Sequence, residues 1–148
     1  MEKRIVTNIK KITLMMCLSA MLISCGTVGD NATANKRIAD SFRVECEPND
    51  IQVIYNDYEG APYEGTALYL VSLEENSDID FGDWESSPFS EEVNDYLESI
   101  ADYVQIPEME NYKWKMINRN TKSKMLTDVS LGVYDVNEKR LYVIESDS

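Results

Sequence analysis

The chain has 148 residues, of which 27 are Asp or Glu, 14 are Lys or Arg and none is His, giving a formal net charge of −13. Binding to nucleic acid depends on basic side chains that neutralise phosphates, so this charge argues against a nucleic-acid partner. The lack of His excludes Ser-His-Asp and Cys-His nucleophilic systems and His-ligated zinc. No catalytic motif, metal-ligand pattern or cofactor motif stands out in the remaining residues.

A basic stretch, an apolar run and small residues follow one another at the N-terminus. The four basic residues of the first stretch are Lys3, Arg4, Lys10 and Lys11. Residues 12–23 carry no charge, and they are too few to span a hydrocarbon core comfortably, which takes about 20 apolar residues. This order is typical of a secretory signal peptide and favours it over a transmembrane helix.

The end of the apolar run reads Leu22-Ile23-Ser24-Cys25, and it resembles the lipobox of bacterial lipoproteins. The resemblance implies cleavage between Ser24 and Cys25 and a diacylglyceryl group on the Cys25 thiol. It therefore implies a protein anchored by lipid to a bacterial cell membrane, on the extracytoplasmic face. The alternative is an ordinary secretory signal peptide that is cleaved nearby, in which case Cys25 has no special role. The resemblance covers about 25 residues and says nothing about the chain that follows.

Three regions are predicted from these patterns. They are a signal peptide over 1–24, the lipidated Cys25 with a flexible tether over 25–40, and a single domain over 41–148. The tether is expected because residues 26–40 are small and polar with little periodicity. Cleavage would remove Cys17 and lipidation would modify Cys25, so Cys46 would be the one free cysteine and no intramolecular disulfide is expected. The alternation of Cys46 with Phe42 and Val44 predicts a buried, inert thiol.

Alternating apolar residues predict a sheet. The predicted strands cover 42–46, 51–55, 66–73, 112–118, 129–134 and 140–144. Residues 66–73 are apolar on both faces, which predicts a central strand covered on both sides. Residues 135–139 are predicted to form a five-residue hairpin loop, and the last four residues are expected to fray.

One amphipathic helix is predicted over about 88–105, with Ser87 as its cap and Pro88 in its first turn. Its apolar stripe recurs at steps of three and four residues. The stripe comprises Phe89, Val93, Leu97, Ile100 and Val104. The predicted fold class is therefore α+β, with a mainly antiparallel sheet of about five to six strands and this helix packed on one face.

Charge is segregated along the chain. Residues 44–112 contain nineteen Asp and Glu and no Lys or Arg, whereas residues 113–124 contain five basic residues and no acid. One interpretation is solubility, with the basic strand paired against acidic neighbours inside the fold. The other is an acidic face that attracts a basic partner or cations. The acidic segment 74–86 does not match the EF-hand pattern, which leaves cation binding open.

A non-catalytic binding or interaction module is the first hypothesis for function, with a basic protein as the partner. An inhibitor or immunity lipoprotein would be a special case of this class. Aromatic residues among acids in exposed loops suggest recognition. The candidate contacts are Tyr58, Tyr63, Phe81 and Trp84. Tyr58 and Tyr63 are expected to be exposed; aromatics folded back onto the edge of the core are the alternative.

Two further functions remain open at this point. A carboxylate-based hydrolase would need only two suitably spaced carboxyl groups. A structural accessory subunit of an envelope complex would be expected to expose a large apolar patch. The sequence does not distinguish these classes, and it leaves the oligomeric state open.

Overall fold

The structure is a computed structural model that describes residues 28–58, 65–73, 79–120 and 128–147. In these ranges it contains two α-helices, one 3₁₀ turn and six strands. The helices are α1 (Val28–Phe42) and α2 (Glu91–Ile100), and the 3₁₀ turn is Pro48–Asp50. The strands are β1 (Ile51–Asn56), β2 (Gly65–Ser72), β3 (Glu85–Ser86), β4 (Tyr112–Asn118), β5 (Asp128–Asp135) and β6 (Arg140–Asp147).

The strands form one antiparallel sheet in the order β1-β2-β6-β5-β4-β3. The predicted α+β class with a mainly antiparallel sheet is confirmed. The predicted hairpin is also present, because β5 and β6 pair directly, but its loop has four residues (136–139) rather than five, since Asp135 pairs with Arg140. β1 and the two-residue β3 form the two edges, so the four strands β2, β6, β5 and β4 occupy the interior.

Both faces of β2 are buried, as its sequence predicts. Ala67, Tyr69 and Val71 pack in a cluster with residues of α1, whereas Leu68 packs in a second cluster with residues of α2. Because successive side chains of a strand point to opposite faces, the two helices cover opposite faces of the sheet. The molecule therefore has three layers, with α1 on one side and α2 on the other.

The tether predicted over 25–40 is wrong for the residues that the structure describes, because α1 begins at Val28. Ala34, Ile38 and Phe42 recur every four residues and are fully buried against the sheet. Phe42 packs closely over β5, where a Cβ atom on Gly132 would lie 2.7 Å from its ring. Packing of this apolar stripe stabilises a helix whose polar residues favour it only weakly.

α1 ends where Arg43 adopts a left-handed conformation (φ 54°) and its amide N–H donates to the Ala39 carbonyl. A residue in this conformation is a common way to end a helix and reverse the chain. The strand predicted over 42–46 is therefore wrong, although Phe42 and Val44 are buried as the alternation implied. Cys46 is a free thiol that donates to Asn35 Oδ1 (3.0 Å), and burial raises its pKa to about 11, which agrees with an inert thiol.

Two smaller expectations also differ from the structure. The predicted strands do not include β3, which is a short edge strand paired with β4. The predicted fraying of the C-terminus does not occur over 145–147, because these residues pair with both β2 and β5. Strand partners on both sides satisfy the backbone groups of this segment and hold it in place.

Replacing Ile38 with Ala tests whether α1 belongs to the core. The fully buried Ile38 side chain should leave a cavity, so the free energy of unfolding in urea should fall by about 2–5 kcal/mol. Lys36→Ala changes an exposed residue of the same helix and should shift it by no more than about 0.5 kcal/mol. Equal, small effects of both substitutions would mean that this segment is not packed on the sheet.

Candidate interaction surface

α2 is held on the sheet by its apolar side and presents its acidic side outward. Ser90 is its N-cap: the Ser90 hydroxyl accepts a hydrogen bond from the Val93 amide (3.3 Å). The predicted cap at Ser87 and start at Pro88 are therefore wrong by three residues. Val93, Tyr96 and Ile100 are buried. The helix ends at Ile100, five residues before the predicted end, where the Ala101 and Tyr103 amides bond three residues back in a tighter turn.

The outer side of α2 and the segment after it carry seven exposed carboxylates, here called the acidic face. It comprises Glu91, Glu92, Asp95, Glu98, Asp102, Glu108 and Glu110, all exposed. None of the ion pairs found in the described ranges involves any of them. Glu91 and Glu92 complement the positive end of the helix dipole, but the others have no such local role.

The basic strand that follows does not neutralise the acidic face. Side chains alternate along β4, so Trp114 points toward α2 while Lys113 and Lys115 point to the other side of the sheet. There Lys115 pairs with Asp83 (Nζ to Oδ2, 2.7 Å), and this hydrogen bond lowers the pKa of Asp83. Lys113 lies 5.6 Å from the centre of the Phe81 ring. The sheet thus separates the acidic face from these lysines.

A small apolar patch, here called the edge patch, lies where the end of α2 meets β1. Ile54 and Tyr103 are 50% and 46% exposed and are the exposed large hydrophobic residues of the described ranges. They line a shallow groove of about 290 Å³ together with Tyr55, whose ring centre lies 5.8 Å from that of Tyr103. The patch contains two exposed large hydrophobic residues, whereas an envelope subunit would be expected to expose a large apolar surface.

The structure does not bring the four predicted aromatic contacts together. Tyr63 lies outside the described residues. Trp84 is 8% exposed and packs in the core against Phe42 and Phe81, so its interpretation as an exposed contact is wrong. Phe81 is partly buried on Trp84 and Tyr134. Tyr58 is half-buried, and its hydroxyl donates to Asp147 Oδ2 (3.1 Å). The Tyr58, Phe81 and Trp84 rings fold back onto the protein, where they pack against apolar neighbours.

A buried ionic cluster under α1 was not predicted. Glu145 is 2% exposed, and its Oε2 accepts two hydrogen bonds from Arg37, from Nε (3.0 Å) and Nη2 (2.7 Å). Arg37 also donates to the Tyr69 hydroxyl (3.3 Å). Arg119 lies on the other side, with Nη2 3.9 Å from Glu145 Oε1 and 2.7 Å from Ser130 Oγ. A buried charge needs such partners, so the cluster ties α1 to the middle of the sheet.

Beside this cluster, Asp128 and Asp147 lie directly opposite each other on β5 and β6. Burial and the hydrogen bond that protonated Asp147 donates to Asp128 raise the pKa of Asp147. Two carboxyl groups in hydrogen-bond contact are closer than the ~5–5.5 Å or ~6.5–9.5 Å that glycoside hydrolases use. In the described ranges no group of Cys, Asp and Glu could hold a metal ion. The pair therefore gives the hydrolase hypothesis no support.

Asp147→Asn tests the sharing of a proton between these carboxyls. A carboxyl whose pKa is raised on folding destabilises the folded state as the pH rises from its ordinary pKa of 3.8 through the raised one. The substitution removes this penalty and keeps an acceptor for Tyr58. The difference in unfolding free energy, variant minus wild type, should therefore increase from about pH 3 to about pH 7. Asp95→Asn controls for the loss of one carboxylate. If both variants show the same increase relative to the wild type, Asp147 does not share a proton with Asp128.

No protein-family model, no curated protein and no solved structure matches this chain. Within the described ranges, none of the helices has the length and apolar character needed to cross a membrane. The acidic face, the edge patch and the N-terminal sequence are therefore the features that bear on function.

Proposed function

We propose that this chain is a lipid-anchored bacterial lipoprotein whose domain, on the extracytoplasmic side of the cell membrane, binds a basic protein partner without catalysing a reaction. The observation that carries the binding role is the acidic face, whose carboxylates are exposed and form no ion pair in the described ranges. The anchor is supported by the sequence of residues 1–25, which lies outside the described residues.

Charge separation across the sheet favours a partner over a purely solubilising role. Solubility requires net charge but does not require that the charges gather on one face. Here the acids of α2 lie on one side, whereas Lys113, Lys115 and Arg119 are directed to the other, where each has an acidic or aromatic neighbour. A face of one sign raises the rate of encounter with a partner of opposite sign and repels partners of its own sign.

The lipid anchor has a physical role in this proposal. An acidic domain is repelled by anionic headgroups, so its surface charge cannot hold it at a membrane. Two acyl chains on Cys25 would hold it there, because each buried CH₂ contributes ~0.8 kcal/mol and a single chain binds only marginally. Anchor and acidic face would thus act separately, the first fixing the location and the second selecting the partner.

The anchor is tested by fatty-acid labelling of cells that express the full-length chain. Wild-type protein should incorporate labelled fatty acid, and the mass of its N-terminal peptide should include a diacylglyceryl group on Cys25. Cys25→Ser should incorporate none. Cys46→Ser is the matched control, since it replaces another cysteine in the same way and should be labelled as the wild type is. Native protein without lipid, or a labelled Cys25→Ser variant, would refute the anchor.

The acidic face is tested by cross-linking in cells, followed by binding measurements with the captured protein. We expect a captured partner with a basic pI, whose affinity falls steeply from about 0.1 M to about 1 M salt, where the Debye length shrinks from about 10 Å to about 3 Å. The triple variant Asp95→Asn, Glu98→Gln, Asp102→Asn should weaken binding at least tenfold at the lower salt concentration.

A second triple variant provides the control for this measurement. Asp40→Asn, Glu45→Gln and Glu138→Gln change net charge by the same amount at exposed positions away from the acidic face. Binding should change far less than with the first variant. A flat salt response, or equal losses with both variants, would show that the acidic face does not bind the partner.

A further inference from the structure

The path from the proposed lipid to the folded domain is short. Only Gly26 and Thr27 separate Cys25 from Val28, the first residue of α1. Consecutive Cα atoms are at most about 3.8 Å apart, so the Cα atom of Cys25 lies within about 11 Å of that of Val28. If Cys25 carries lipid, the bilayer surface must therefore lie close to the N-terminus of α1.

The direction of α1 places that N-terminus at the β1 edge of the sheet. Phe42, at the end of α1, lies over Gly132 in β5, whereas Arg37 contacts Glu145 in β6 and Tyr69 in β2. Going back along the helix therefore means crossing the sheet toward β1, which α1 also contacts. Val28 is about 13 Å from Arg37 along the helix axis, and β1 is only one strand spacing, about 4.8 Å, from β2. The helix is therefore long enough for its N-terminus to reach the β1 edge.

The edge patch lies at this same edge of the sheet. Ile54 belongs to β1, and Tyr103 packs beside Tyr55 of β1, on the sheet face opposite α1. An aliphatic side chain next to a tyrosine, whose ring is apolar and whose hydroxyl is polar, suits the headgroup region of a bilayer. The two large hydrophobic residues that the described domain exposes are thus at the edge from which the anchor would extend.

From these positions we infer that the domain stands edge-on at the membrane, with β1 lowest and the Ile54 and Tyr103 side chains in the headgroup region. This inference rests on the proposed lipid at Cys25. The occupant of the edge patch is the bilayer that holds the anchor, because the short link confines β1 to its surface. The carboxylates of Asp57 and Asp102 are exposed nearby, so the contact suits zwitterionic rather than anionic headgroups.

Depth-dependent quenching tests this orientation on the full-length lipidated protein in phosphatidylcholine vesicles. A fluorophore on Ile54→Cys, in a Cys46→Ser background, should be strongly quenched by lipids that carry a nitroxide near the headgroup. Glu85→Cys, on β3 at the other edge, is the matched control. It is five strand spacings, about 24 Å, from β1, so its quenching should be at least fivefold weaker. Gln52→Cys, an exposed position on β1, should also be quenched if Ile54→Cys does not fold.

Flotation of the same vesicles separates failure of the anchor from failure of the orientation. Protein that does not float lacks the anchor, and the inference then falls together with the proposed lipidation. Protein that floats but shows equal quenching, or none, at both edges would overturn the orientation alone. A β1 label that is shielded from aqueous iodide without being quenched by lipid would mean that another protein covers this edge, which would also overturn the inference.

Discussion

The position of α1 on the sheet depends on the contact between Arg37 and Glu145. Glu145 is 2% exposed and lies in β6, with β2 and β5 on either side. A carboxylate buried this deeply needs a charged partner, and Arg37 supplies two hydrogen bonds to one of its oxygens. Five residues later Phe42 fits over Gly132, where a side chain would collide with its ring. Polar pairing and close packing thus fix one helix at two points, which makes the N-terminal segment part of the rigid domain.

The sheet separates two electrostatic environments. On the α1 side, Arg37 pairs with Glu145, Lys115 with Asp83, and Arg119 with Asp128. On the α2 side, the exposed carboxylates have no basic neighbour within pairing distance in the described ranges. The Lys115 and Arg119 pairs are partly exposed, and such pairs contribute little to stability. Period-two alternation along β4 produces this separation, since it directs every lysine of the strand to one side.

Features that depend on neighbouring residues could be predicted from the sequence, whereas features that depend on contacts between distant residues could not. Alternation within a strand is local, so the ends of β1, β2, β4, β5 and β6 were predicted with differences of no more than three residues. α1 was missed because Gly29, Asn31 and Asn35 have low helix propensity, although Ala34, Ile38 and Phe42 already had helical spacing. Burial of Glu145 depends on a partner 108 residues away, and nothing local indicates it. The acidic face was predicted as a charge bias, but only the direction of the β4 side chains shows that it is not neutralised.

On the proposed orientation, the positions of α1 and α2 determine how a partner would reach the domain. The two helices cover opposite faces of the sheet, and the bilayer would meet the sheet at its β1 edge, so both faces stand roughly perpendicular to the membrane. The acidic face would then point sideways, parallel to the bilayer surface. Repulsion between the acidic face and anionic headgroups decays within about one Debye length, ~8 Å at physiological salt. α2 packs in one cluster with residues of β2, β6, β5 and β4, and the residues that follow it approach β1, so most of α2 lies farther from β1 than this. A partner attached to the same membrane could therefore approach the acidic face laterally without first leaving the bilayer.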